Sequence, residues 1–247
     1  MQTKKILITG ASSGLGKAIV DELASEDVII TIIGRNKDKL AQFKQPNVRV
    51  IRGDVTDDLL INKVVSELKP GIIILNAGAT PVMAPLDEQT WESFTTVWNT
   101  DVKAGLCGIR AALKTPLPPG SRVLIVSSGA AMIGAPLSGS YAGAKRMLWF
   151  MAQYANEIAQ KKRLGITFQT LVPMQMIAET DLAQTVAGAY AKLRGLTVEA
   201  YVEARYGEPL TAVEYAKLVH TCLTDPAYLE GAAYGIRKDT GLKVINY

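Results

Sequence analysis

Lys5-Ile6-Leu7-Ile8-Thr9, followed by Gly10-Ala11-Ser12-Ser13-Gly14-Leu15-Gly16, is the stretch that decides the fold of this chain. The first five residues read as a buried strand. Behind the glycines, Ile19, Val20 and Leu23 recur at helical spacing over 17–25. A strand, a glycine-rich turn and a helix together offer backbone N–H groups and a helix N-terminus to an anion. The glycines let a pyrophosphate approach where any Cβ would collide. The spacing is Gly-x-x-x-Gly-x-Gly rather than the Gly-x-Gly-x-x-Gly of many dinucleotide-binding folds, and a plain strand-to-helix turn fits the same residues.

Working outward, the pattern repeats. Stretches at 27–33, 47–52, 71–75, 122–126 and 166–172 read as further strands, those at 27–33 and 122–126 as buried ones, with a final strand at 231–236. Helical periodicity falls at 59–68, 87–113, from Ser140 onward, at 211–223, and over 180–207 as one or two helices. Strands and helices that alternate through short links form right-handed βαβ units and a parallel sheet. The expectation is an α/β, doubly wound, three-layer α/β/α domain spanning 1–247.

Composition narrows the function. The 247 residues are 48% hydrophobic and 20% charged, enough for a sizeable core and unlike a disordered chain. A net charge of +4, with no cationic cluster larger than Lys161-Lys162-Arg163, gives no nucleic-acid signature. No apolar run approaches a membrane span, and Ile6-Leu7-Ile8 behind Lys4-Lys5 is too short for a signal peptide. Cys107 and Cys222 lack metal spacing, and His220 is the sole histidine, so no metal site is expected and His220 reads as structural. A reducing, cytoplasmic setting is the expectation.

Two stretches carry chemistry. An acid about 20 residues past the glycines ordinarily bonds a ribose 2′-hydroxyl; this chain has Gly34-Arg35-Asn36 there. The glycine leaves room for a 2′-phosphate and the arginine supplies a cation, which points to NADP(H) over NAD(H); a solvated arginine after a strand is the plainer reading. A charge-assisted hydrogen bond is worth roughly 1.5–3 kcal/mol, less if exposed. Further along, Tyr141 and Lys145 are four apart and share a helix face. An ammonium beside a phenol favours the phenolate and makes a proton donor usable near neutral pH. A partly buried tyrosine beside a solvated lysine has the same spacing.

Thr9-Gly10-x-x-x-Gly14-x-Gly16, Asp54-Val55, Asn76-Ala77-Gly78, Ser128 and Tyr141-x-x-x-Lys145 occur in the order and at about the intervals of the short-chain dehydrogenase/reductase family. The chain resembles that family from about Lys4 to Thr180. The resemblance implies a Rossmann-type fold and an NADP(H)-dependent oxidoreductase that interconverts a ketone or aldehyde and its alcohol. It implies Tyr141 as acid/base, Lys145 as the cation beside it and a hydrogen-bond donor to the nicotinamide ribose, and Ser128 as the holder of the substrate oxygen, with Ser127 structural. It places Gly10, Ser12, Ser13, Gly14, Leu15 and Gly16 at the phosphates, and Arg35 and Asn36 at the ribose. Asp54 and Val55 fall at the adenine, and Asn76, Ala77 and Gly78 between ribose and sheet.

Three stretches depart from the family pattern. Where the family has a helix asparagine, this chain has Asp101 in Asp101-Val102-Lys103-Ala104-Gly105-Leu106, and Asn99 is two residues early, pointing roughly 200° away. A carboxylate at Asp101 would stabilise the Lys145 ammonium and oppose a phenolate at Tyr141. At about 7 Å and an effective dielectric near 20, each such interaction is on the order of 2 kcal/mol. Asp101 facing solvent is the other reading. After 166–172 the chain reads Pro173-Met174-Gln175-Met176-Ile177-Ala178-Glu179-Thr180, without the family's glycine. Pro173, Ile177 and Thr180 are the cofactor contacts expected there, with a substrate lid over 174–210 and a mostly apolar cavity lacking a carboxylate or phosphate clamp. The ending around Lys238–Ile245 is also atypical. Leu106, Ile109 and Ala112, with Leu148, Trp149 and Met151, read as apolar outer faces, and the family's habit implies a homodimer or homotetramer. A dinucleotide-binding sensor with little catalysis, and an epimerase-like relative, are the alternatives.

Overall fold

The computed structural model describes residues 4–177, 179–231 and 233–246. The described residues form one sheet in the order β3-β2-β1-β4-β5-β6-β7-β8. The first half runs β1 (Lys4–Thr9), α1 (Gly14–Leu23), β2 (Val28–Gly34), the single turn α2 (Lys37–Leu40), β3 (Val48–Arg52), α3 (Asp58–Leu68) and β4 (Ile72–Leu75). Then come α4 (Trp91–Val97), a π turn (Trp98–Val102), α5 (Lys103–Lys114), β5 (Ser121–Val126), the single turn α6 (Ala130–Ile133) and α7 (Gly139–Lys161). The chain ends β6 (Ile166–Pro173), α8 (Asp181–Arg194), α9 (Val198–Tyr206), α10 (Ala212–Thr224), β7 (Ala233–Arg237) and β8 (Gly241–Ile245).

All neighbouring strands are parallel except the β7–β8 pair at one edge. The central strands are covered on both faces, which is why they read as largely apolar runs, whereas β3 at one edge has no buried residue. Ile6 and Ile8 of β1 face α1 and α10, while Leu7 faces the layer of α3, α5 and α7. Strand order reverses between β1 and β4, and a doubly wound sheet opens its ligand crevice at that point.

The single long helix expected over 87–113 is broken into α4, a π turn and α5. The apolar outer faces also differ from expectation. Ile109, Ala112, Leu148 and Met151 are buried between helices and sheet, and Trp149 packs on Ala131, Val172 and Ala233. Of the residues expected to face outward only Leu106 does, accompanied on α7 by exposed Tyr154 and Ile158. His220 on α10 sits against α1, with Nδ1 3.2 Å from Glu22 and Nε2 3.6 Å from Glu26.

Arg122 at the start of β5 is buried without a carboxylate. Its guanidinium donates to Gln169 Oε1 (2.9 Å from Nε), Leu223 O (3.2 Å) and Tyr228 O (2.9 Å). The Gln169 amide donates in turn to Tyr228 O and Glu230 O. This network fastens the end of α10 to the sheet. Gln169→Leu is expected to lower unfolding free energy by about 2–4 kcal/mol in urea titration, because it strips a buried cation of its best acceptor. A loss under 1 kcal/mol (roughly that of a neutral exposed hydrogen bond) would contradict this account.

Candidate active site

The crevice begins where β1 and β4 end. Thr9 Oγ1 accepts from the N–H groups of Asn76 (3.1 Å) and Ala77 (3.3 Å), and Asn76 Nδ2 donates to Gly10 O (3.0 Å). The two strand ends are thereby drawn so close that side chains have no room. Gly10 has φ +68°, and a Cβ there would lie 2.5 Å from Ala77 Cα. A Cβ on Gly16 would lie 2.6 Å from Asn76 Nδ2. Ser13 begins α1 without a side-chain cap, so the first N–H groups of that helix keep their capacity for an anion. This cradle fits a dinucleotide pyrophosphate.

A cavity of about 870 Å³ extends from this loop in both directions. Gly10, Ser12, Ser13, Gly14 and Leu15 form its floor, and Asn76, Ala77 and Gly78 one wall. Gly16 and Asn36 do not line it. Gly16 serves packing, and the Asn36 side chain accepts from Lys39 N (3.0 Å) as the cap of α2. At the end expected to take the adenosine stand Arg35, Asp54 and Val55, joined by Lys39, which the sequence reading missed. Arg35 is 74% exposed and 3.9 Å from Asp54 Oδ2. The Asp54 carboxylate accepts from Thr56 N and Oγ1 (both 2.9 Å), and chiefly that backbone bond holds it below the usual carboxylate range.

In the middle stand Ser128, Tyr141, Lys145 and Asp101. Ser127 Oγ donates to Lys145 O (2.7 Å), a structural tie between β5 and α7. Ser128 faces the cavity, and its hydroxyl accepts from Ala130 N at 3.3 Å. Lys145 lies 5.6 Å from the Tyr141 ring centroid and donates to Val126 O (3.3 Å). The π turn rotates Asp101 inward to 1% exposure, whereas Asn99 is exposed. Asp101 Oδ1 accepts from Ala79 N (2.7 Å), and Oδ2 stands 3.0 Å from Lys145 Nζ, an ion pair lacking the alignment of a hydrogen bond. The carboxylate and ammonium are thus far closer than the sequence argument assumed. Burial would lower the lysine's pKa, but the Asp101 carboxylate, with Tyr141 adding to it, outweighs burial and holds it raised. Gly78 makes the space, since a Cβ there would lie 2.9 Å from Asp101 Oδ2.

Beyond Pro173 the irregular segment is pinned rather than loose. Gly129 N donates to Pro173 O (2.8 Å), Ile177 bridges to Leu210, and Gln175 Oε1 accepts from Lys238 N (2.6 Å). Ala178 lies outside the described residues. Thr180 caps α8, accepting from Ala183 N (3.1 Å), and its methyl would lie 3.6 Å from a Cβ on Gly14, beside the phosphate loop. Pro173, Ile177 and Thr180 all line the cavity. Contrary to expectation, two cations, Arg194 and Arg205, also line the half beneath α8 and α9.

A model of the short chain dehydrogenase family matches residues 4–190. The chain belongs to the short-chain dehydrogenase/reductase family. A Danio rerio protein named 17-beta-hydroxysteroid dehydrogenase type 3 is 29% identical, with 69% of this chain and 60% of that protein aligned. Oxidoreductase asL5 of Sarocladium schorii is 26% identical over 75% of this chain and 76% of its own length. The chain thus spans about three-fifths of the first of these relatives. Among solved structures, a variant of the actinorhodin polyketide ketoreductase with NADPH has a TM-score of 0.82 at 20% identity, covering 99% of this chain and 98% of its own. ElxO with NADP bound has a TM-score of 0.77 at 21% identity, covering 95% and 97%. These two likenesses bear on the fold alone. Within the described residues no helix is long and apolar enough to cross a membrane.

Gly16→Ala is expected to weaken NADPH binding at least tenfold, measured by cofactor fluorescence titration, because its Cβ meets backbone and the Asn76 amide. Wild-type affinity in this variant would remove the close-packing argument for the loop.

Proposed function

We propose that this protein is an NADP(H)-dependent oxidoreductase that interconverts a ketone or aldehyde and its alcohol. The observation that carries the reading is the convergence of Tyr141, Lys145 and Ser128 on one cavity with the glycine cradle. Once bound, the dinucleotide supplies or accepts the hydride at the carbonyl carbon. Ser128 Oγ holds the substrate oxygen, and Tyr141 Oη gives that oxygen a proton in reduction and takes it back in oxidation. Lys145, anchored by Val126 O and Asp101, stands beside the tyrosine as the cation of the pair. The segment 174–210 acts as the substrate lid.

Turnover is tested by NADPH oxidation against ketones, aldehydes and quinones. Tyr141→Phe is expected to reduce kcat by about 100-fold or more. Equal turnover by that variant would end the proton-donor role, and NADPH binding without turnover of any compound would favour a dinucleotide sensor.

NADP selectivity is supported by Gly34, by Arg35 and by Lys39 lining the adenosine end. Two of the structural neighbours hold NADPH or NADP. Arg35→Ala is expected to reduce the NADPH-over-NADH ratio in kcat/KM by about tenfold, the low end for a charge-assisted bond at an exposed site. A ratio that persists would refute the selector.

Asp101 marks a difference in tuning. Its carboxylate, 3.0 Å from the ammonium, cancels part of the field that Lys145 exerts on its surroundings and holds the lysine's pKa raised. Asp101→Asn is expected to move the acidic limb of the oxidative pH–rate profile to lower pH. An unmoved limb would count against a charged Asp101 in the site. The exposed apolar residues Leu106, Tyr154 and Ile158 on α5 and α7 support a homodimer or homotetramer built on these helices.

A further inference from the structure

The α8 helix lays one stripe along the cavity: Leu182, Val186, Tyr190, Leu193 and Arg194. Their spacing is that of a single helical face. Leu182 packs in the cluster that contains Tyr141, so the stripe starts at the reacting centre. From Leu182 to Arg194 the helix rises about 18 Å. Apart from the acids before and at the start of α8, the charged groups lining this half are two arginines, one in the last turn of α8 and one in the last turn of α9. The Arg194 guanidinium lies 5.7 Å from the Tyr201 ring centroid and that of Arg205 lies 5.5 Å from the Tyr206 ring. Tyr201 stacks on Tyr190 at 5.9 Å and meets Tyr206 edge-on at 6.2 Å, so the cations sit on adjoining rings. Among the described residues neither arginine pairs with a carboxylate. The acids that line this side of the cavity, Glu179 and Asp181, stand at the opposite end of α8, and the Glu179 carboxylate accepts from Ala212 N (2.8 Å). The Tyr201 phenol, pushed up to about 12 mainly by burial, stays a neutral hydrogen-bond donor.

We propose that the substrate half of the cavity takes an elongated, largely apolar carbonyl compound whose far end carries an anionic group, received by Arg194 and Arg205. The reacting carbonyl lies at Tyr141, the apolar body runs along Val186 and Leu193, and the anion meets the two guanidiniums against the tyrosine wall. An anion there gains charge-assisted bonds that the arginines do not make among the described residues. The carbonyl end rests on the oxidoreductase reading above; the anionic end does not.

The test uses the full chain loaded with NADPH and isothermal calorimetry with three probes: 13-oxotetradecanoate, its methyl ester, and the methyl ketone of equal length ending in a phosphate. The anions are expected to bind on the order of tenfold more tightly than the ester, a modest gain because both arginines are solvent-accessible. The Arg194→Ala/Arg205→Ala double variant should lose that preference, and Arg194→Lys/Arg205→Lys should retain most of it, which separates charge from folding. Whichever anion binds more tightly names the end group. Equal binding of acid and ester, a preference that survives the double alanine variant, or no binding of any probe overturns the proposal. Parallel turnover assays separate the two readings: anion preference in binding without oxidation of NADPH would sink the carbonyl chemistry and leave the anion site standing.

Discussion

The close approach of the β1 and β4 ends constrains everything else in the site. Thr9 draws the Asn76 and Ala77 amides inward, and the contact leaves no volume for a Cβ at Gly10 or Gly16. That closeness sets where α1 starts and hence where its N–H groups point. It also fixes Gly78, whose bare backbone gives Asp101 its place, and through Asp101 it reaches Lys145. One packing requirement therefore links the glycine loop to the buried Asp101–Lys145 pair.

The buried Asp101–Lys145 pair is the second organising feature. Removing two charges from water is costly, and such a pair gives little net stability against an apolar replacement. Its value lies in position. Oδ1 is tied to Ala79 N and the lysine to Val126 O, so the ammonium is held from two elements at once. The π turn that delivers Asp101 is itself an irregularity of the kind that accompanies functional sites.

Much of this was legible in the residues, for physical reasons that can be named. Central strands buried on both faces are largely apolar runs, so β1, β2, β4 and β5 stand out. Glycines at close approaches and the Tyr141–Lys145 spacing announce their own geometry. Other features left weaker traces. A π turn shifts hydrogen-bond register by one residue without altering composition, so 87–113 read as one helix. The edge strand β8 is half exposed and mixes Lys243 with Val244, which gives no clean pattern. Ile109 and Trp149 looked like outward-facing residues because periodicity cannot say which neighbour covers a face. Arg194 and Arg205 each stand in the last turn of a helix followed by glycine, where cations are common; only the fold turns them toward the cavity.

The roof over the substrate half has a hydrophobic cluster of its own. Met176, Ala183, Ala187, Ala191 and Tyr201 pack together apart from the two clusters that flank the sheet. Among the described residues its ties to the body include the bonds from Lys238 N to Gln175, from Ala212 N to Glu179 and from Leu137 N to the Tyr190 hydroxyl (3.2 Å), with Leu182 packed beside Tyr141. Segments built this way open at lower free energy than the core they rest on. On the proposed function, reaction chemistry and substrate choice thus reside on separate hydrophobic clusters. Residues of α8 and α9 can drift, and with them the range of molecules admitted, while the sheet and its proton-handling pair stay fixed.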